Sequence, residues 1–154
     1  MKKVVIITGA SRGIGAACAA SFAAAGYAVC VNYQSAASAA DAVVASIREG
    51  GGTAIAVQGD VSQDSDVDTL FDRCDKELGT LDVLVNNAGI SSPRSRVEDL
   101  PLDALHRIMD INVIGLIHCS QHAIRRMSTR HGGRGGSIVN LSSGSAYIAN
   151  PHES

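Results

Sequence analysis

Val4-Val5-Ile6-Ile7-Thr8-Gly9-Ala10-Ser11-Arg12-Gly13-Ile14-Gly15 stands near the start of the chain, and its reading decides the fold. Four consecutive aliphatic residues suit a strand buried on both faces. Residues 13–25 are rich in alanine and have helical length, so the three glycines fall at a strand-to-helix turn. Gly9 permits the tight turn, Gly13 the approach of a pyrophosphate to backbone N–H groups, and Gly15 close packing of helix on strand. The helix N-terminus adds oriented donors and a partial positive charge suited to an anion. The spacing is Gly-x-x-x-Gly-x-Gly, not Gly-x-Gly-x-x-Gly. A glycine trio also occurs in purely structural turns; its place between a first strand and a first helix is what favours a dinucleotide.

Beyond this turn, apolar runs of strand length alternate with longer segments of helical period, the signature of a parallel sheet built from βαβ units. Strands are expected over residues 3–8, 28–33, 53–58, 81–86 and 137–141, and helices over 13–25, 36–49, 64–78 and 102–129. Gly26, the Gly50-Gly51-Gly52 run and Gly79 follow helical segments, where a left-handed residue closes the last turn. The run His131-Gly132-Gly133-Arg134-Gly135-Gly136 reads as a flexible link into the last strand. In the last helix Leu105, Ile108, Met109, Ile111, Val113, Leu116, Ile117 and Ile124 spread over more than one face. Such a helix is expected to be covered by the sheet and by a partner subunit, or else to be a tightly packed internal helix.

Composition narrows the function classes. Residues 1–154 fit one domain, and 45% hydrophobic with 18% charged residues is enough apolar material for a core. With 15 acidic against 13 basic residues and no basic patch interleaved with aromatics, nucleic acid is not an expected partner. Cys18, Cys30, Cys74 and Cys119 lack ligand spacing and read as reduced thiols in a cytoplasmic protein. His106, His118, His122, His131 and His152 form no metal-binding pattern, so no metal is expected. The apolar run after Lys2-Lys3 is too short for a secretory signal, and none approaches the roughly 20 residues of a membrane span.

Further motifs recur at the strand ends. Asp60-Val61 follows the third strand, Asn86-Asn87-Ala88-Gly89 the fourth, and Asn140-Leu141-Ser142-Ser143 the fifth, while Asp110-Ile111-Asn112-Val113 lies within the last helix. With Thr8-Gly-x-x-x-Gly-Ile-Gly, this ordered set resembles the short-chain dehydrogenase/reductase family over essentially the whole chain. Its motifs are similar to those of 3-oxoacyl-thioester reductases and of sugar or polyol dehydrogenases. The resemblance implies a doubly wound, Rossmann-type α/β sheet of order 3-2-1-4-5, with a dinucleotide across the carboxyl ends of its strands. It implies cofactor contacts from Gly9, Ser11, Arg12, Gly13, Ile14, Gly15, Asn32, Tyr33, Asp60, Val61, Asn87, Ala88 and Gly89, with Asp60 against the adenine. It also implies catalytic roles for Ser143, whose hydroxyl holds the reacting oxygen, and Asn112, which orders a water in a proton relay.

Plainer roles stand beside these. Asp60 also suits a helix cap, Asn86 or Asn87 a tie between loop and sheet, Asn112 a core amide, and Ser142-Ser143 a turn. The family's catalytic Tyr-x-x-x-Lys pair and its last helix and strands are absent from residues 1–154, and Asn150-Pro151-His152-Glu153-Ser154 reads as an interrupted loop. The expectation is an incomplete NAD(P)-dependent oxidoreductase acting on a small carbonyl or alcohol, inactive as it stands and a homo-oligomer when complete. The alternative is a non-catalytic dinucleotide-binding or assembly module. Asn32-Tyr33-Gln34-Ser35 places no carboxylate at the end of the second strand, and Arg12 supplies a cation, so NADP is expected, with NAD the alternative.

Overall fold

The computed structural model describes residues 2–91 and 95–144; the expected loop over residues 150–154 lies outside them. Five parallel strands form one sheet in the order β3-β2-β1-β4-β5. They are β1 (Val4–Ile7), β2 (Ala28–Tyr33), β3 (Thr53–Gln58), β4 (Leu81–Asn86) and β5 (Ser137–Asn140). The crossovers are α1 (Gly13–Ala24), α2 (Ala37–Glu49), α3 (Asp64–Glu77), and α4 (Leu102–Met109) running into α5 (Leu116–Met127). This is the expected doubly wound, Rossmann-type topology, and the strand boundaries agree with the expected ones to within a residue.

Alternation along the central strands divides the core into two layers. Val4, Ile6, Cys30, Leu81 and Leu84 face Val67, Leu70, Phe71 and Cys74 of α3 and Cys119, Ala123 and Met127 of α5. Val5, Ile7, Val29, Val31, Val83 and Val85 face Ala19 of α1 and Ala40, Val44 and Ile47 of α2. All four residues of β1 are buried, as a central strand covered on both faces requires. The turns after α1, α2 and α3 pass through Gly26, Gly51 and Gly79 at φ of 87°, 78° and 104°.

The helix expected over residues 102–129 is interrupted by a π turn at Asp110–Gly115 and ends at Met127, where the Ser128 hydroxyl accepts from Arg130 N and starts a 3-10 turn. The wide turn shifts the helical phase, which is why apolar residues read with a single period seemed to occupy several faces. Ile111, Gly115, Cys119, His122, Ala123 and Met127 turn toward the sheet. Leu105, Met109, Val113, Ile117 and Ile124 form an exposed apolar stripe. Gly115 is seated on the loop after β3, where a Cβ would come within 2.8 Å of Val61 Cγ2.

Charge pairs one turn apart join α3 to α5. His118 Nδ1 lies 3.3 Å from Asp64 Oδ1, His122 Nε2 3.4 Å from Asp68 Oδ1, and Arg126 reaches Asp72 at 3.1 Å and Asp75 at 2.6 Å. Pairs so exposed on the aspartate side contribute little energy each. Among the described residues no helix is long and apolar enough to cross a membrane.

Candidate functional site

Parallel strands that start in register finish at a common edge, so the segments after β1, β2, β3 and β4 converge there. Hydrogen bonds shape the turn after β1 from both sides. Asn32, buried at the end of β2, accepts from Gly9 N at 3.1 Å and donates to Gly59 O at 3.0 Å. From the other side the Asn87 amide donates to Thr8 O at 2.8 Å and Gly9 O at 3.0 Å. Thr8 Oγ1 accepts from the backbone N–H groups of Asn87 and Ala88, each at 3.0 Å.

The three glycines do different work within that clasp. Gly9 has φ of 61°, and a Cβ on it would lie 2.9 Å from Ala88 Cα. Gly15 is closed by packing, since a Cβ there would meet Asn87 Nδ2 at 2.5 Å. Gly13 has φ of 57° with nothing within 4 Å of its Cβ position, so space is open beside the first turn of α1. That helix has no side-chain cap and no acidic residue in its first turn. Free N–H donors, a positive helix end and open space make a donor set that fits a pyrophosphate.

A cleft of about 360 Å³ opens over this turn. Gly9, Ser11, Arg12 and Ile14 line it from the first turn, Asn32 and Tyr33 from β2, and Asp60 and Val61 from the loop after β3. Asn87, Ala88 and Gly89 close it from the end of β4, whereas Gly13 and Gly15 are not among its lining residues. Gln34 and Ser35, read in the sequence only as a stretch without a carboxylate, also line it, as does Arg107, which was not foreseen.

Asp60 does not cap α3. Its carboxylate accepts from the Ser62 backbone at 3.0 Å and hydroxyl at 2.7 Å, from Gln34 Nε2 at 3.3 Å, and from the Arg107 guanidinium. Partial burial works to raise the pKa of Asp60, but the donors from Arg107 and Ser62 outweigh it and hold the carboxyl below its ordinary value. Arg107 escaped the sequence reading because its partner is 47 residues away.

The two residues expected to be catalytic lie outside the cleft lining. Asn112 sits in the π turn, and its amide accepts from Ile90 N at 2.9 Å and donates to Ile90 O at 2.8 Å. That pairing anchors the segment after Gly89. Ser143 is exposed just beyond β5. Asn86 ties the sheet together, donating to Asn140 Oδ1 at 2.9 Å and Ser120 Oγ at 3.0 Å. Among the described residues no group of three or more His, Cys, Asp or Glu side chains is arranged to hold a metal ion.

Residues 3–154 match the family model described as short chain dehydrogenase. The uncharacterized oxidoreductase YgfF of Escherichia coli is 40% identical over 150 residues, which cover 97% of this chain and 61% of that protein. A 3-oxoacyl-[acyl-carrier-protein] reductase of Synechocystis is 40% identical over 149 residues, covering 97% of this chain and 59% of the relative. A short chain dehydrogenase from Burkholderia cenocepacia, solved in complex with NADP, superposes with a TM-score of 0.89 at 40% identity, covering 98% of this chain and 59% of its own. The chain thus spans about three fifths of the length of these relatives.

Proposed function

This chain belongs to the short-chain dehydrogenase family, and from that premise we propose that residues 1–154 act as one dinucleotide-binding unit of an NADP-dependent oxidoreductase acting on a small carbonyl or alcohol. The observation that carries the reading is the uncapped N-terminus of α1, opening beside Gly13 onto a cleft walled by four strand ends. When bound, the nicotinamide dinucleotide supplies the hydride chemistry. The N–H groups of the first α1 turn hold the pyrophosphate, and Asp60 with Val61 faces the adenine. Asn87, Ala88 and Gly89 form the wall along which the nicotinamide half lies. Arg12 meets the 2′-phosphate, for which the carboxylate-free stretch Tyr33-Gln34-Ser35 leaves room. The NADP complex of the Burkholderia relative supports this choice over NAD.

Ser143 is proposed to hold the reacting oxygen. The Asn112 side chain is committed to Ile90, so we propose that it serves the proton relay by fixing the π turn and the loop after Gly89. The exposed stripe Leu105, Met109, Val113, Ile117 and Ile124 supports pairing with a second copy of the chain. A binding module without catalysis would share the cleft and differ only in turnover.

Calorimetric titration of the chain with NADPH and NADH tests the central claim. Binding of NADPH at least about tenfold tighter than NADH is expected from one charge-assisted contact. Failure to bind either dinucleotide overturns the reading, and a preference for NADH overturns the choice of cofactor. Ser143→Ala is expected to leave NADPH affinity within about twofold, because a hydroxyl aimed at substrate contributes no net hydrogen bond to the cofactor.

A further inference from the structure

Asp60 sits where three elements meet, and its carboxylate is fully subscribed. Oδ1 takes the backbone and hydroxyl of Ser62, while Oδ2 takes Arg107 from α4 and Gln34 from the end of β2. A carboxylate has about four acceptor positions, so these donors fill it. They differ in strength. Arg107 grips from two sides, since its Nη1 also donates to Ser62 Oγ at 2.6 Å. The Gln34 bond, at 3.3 Å between exposed groups, is the longest of the set and the easiest to give up. Asp60, Arg107 and Gln34 all line the same cleft.

We propose that Arg107 is a positioning residue that aims the Asp60 carboxylate at the purine edge of the cleft, and that Gln34 covers the acceptor a purine amino group takes. The inference rests on the cofactor reading of the cleft and adds to it a rule for the base. An amino group replaces Gln34 and keeps Oδ2 satisfied. A purine with oxygen at that position brings an acceptor against a carboxylate and finds no donor there. Gln34 thus keeps the site satisfied while it is empty of purine, and Arg107 sets the direction of what is offered.

The test compares NADPH with its hypoxanthine analogue, binding being measured by calorimetry at pH 7.5 and 5.5 on the chain and on Arg107→Leu, Arg107→Lys and Gln34→Ala. In the unaltered chain the adenine form is expected to bind about 10- to 100-fold more tightly, equally at both pH values. Arg107→Leu should cut that ratio to about threefold or less at both pH values, because an aspartate at its ordinary pKa is still ionised at pH 5.5 and what is lost is its aim. Arg107→Lys should restore most of the ratio. Gln34→Ala should tighten the adenine form about two- to fivefold and leave the analogue unchanged.

Equal losses for both dinucleotides in Arg107→Leu would reduce Arg107 to a staple between α4 and the loop and overturn the proposal. So would an unaltered chain that binds both forms equally while still binding NADPH. If Arg107→Leu does not fold, Gln34→Ala decides, and no gain for the adenine form overturns the proposal. Failure of the unaltered chain to bind either form overturns the cofactor reading as well, which separates the two failures.

Discussion

Asn32 shows how far a single residue's identity predicts its work. Its place at the end of β2, without an acidic neighbour, marked it as a cofactor contact. The structure lines the cleft with it but engages its amide with Gly9 and Gly59. A buried amide satisfied on both sides is a clasp, so on the proposed function any reading of the ribose is left to Arg12, Tyr33, Gln34 and Ser35. Arg12→Ala is expected to weaken NADPH binding about 10- to 100-fold, the value of a charge-assisted contact of roughly 1.5–3 kcal/mol, and to leave NADH within about twofold. Equal losses for both would show that Arg12 does not reach the 2′-phosphate. The cysteines give a second residue-scale test. Cys30, Cys74 and Cys119 are buried and Cys18 is half-buried. Burial pushes the Cys119 thiol up to about 12, and contact with Cys74, reinforced by burial, raises Cys30 as well. A thiol reagent at pH 8 should therefore titrate one cysteine, Cys18, in the native chain and all 4 in denaturant. Rapid native reaction of three or more would contradict the packing described.

At the scale of elements, the strands were legible because a strand covered on both faces is a continuous apolar run, as in Val4–Ile7 and in Val83-Leu84-Val85 within β4. The π turn was not, because the poor helix formers of Asp110–Gly115, Asn112 and Gly115 among them, do not tell a wide turn from strained α-helix. The pairing of α3 with α5 was equally hidden, since the ion pairs of Arg126 with Asp75 and Asp72, across 51 and 54 residues, leave no local pattern. That pairing carries a pH dependence. Burial first, then the charges of His118 and Arg126, lower the pKa of His122, and Asp68 only partly opposes them. A base with a depressed folded-state pKa binds its proton more readily in the unfolded chain. Its contribution to stability is therefore complete above about pH 6.5, the unperturbed value, and declines as the pH falls below it toward the folded-state value. Urea unfolding should show a lower midpoint at pH 5.5 than at pH 7.5, and His122→Gln should flatten that difference. A midpoint that rises on acidification would mean that the pairing with Asp68 prevails.

For the whole molecule, the alternation of elements made a parallel βαβ sheet legible, and the order β3-β2-β1-β4-β5 with a cleft along the strand ends followed from the family resemblance carried by the ordered motifs. Arg107 did not, because it joins the site through topology and carries no motif of its own, and Gln34 and Ser35 were legible only as a stretch without a carboxylate. The sequence contains no Tyr-x-x-x-Lys pair. The purified chain is accordingly expected to bind NADPH yet reduce no carbonyl compound above a protein-free control, general acid catalysis alone being worth about 10²–10⁴-fold. Cofactor-dependent reduction by sequence-verified chain would point to another proton donor. The clasp between Thr8 and Asn87 adds a consequence in time. The turn after β1 is synthesised well before Asn87, which follows Thr8 by 79 positions and shapes the turn from one side. At about 5–20 residues per second that is a delay of roughly 4–16 s, during which the turn lacks one of its two jaws. On the proposed function, a cleft fit for a dinucleotide is therefore complete only after the fourth strand has been made.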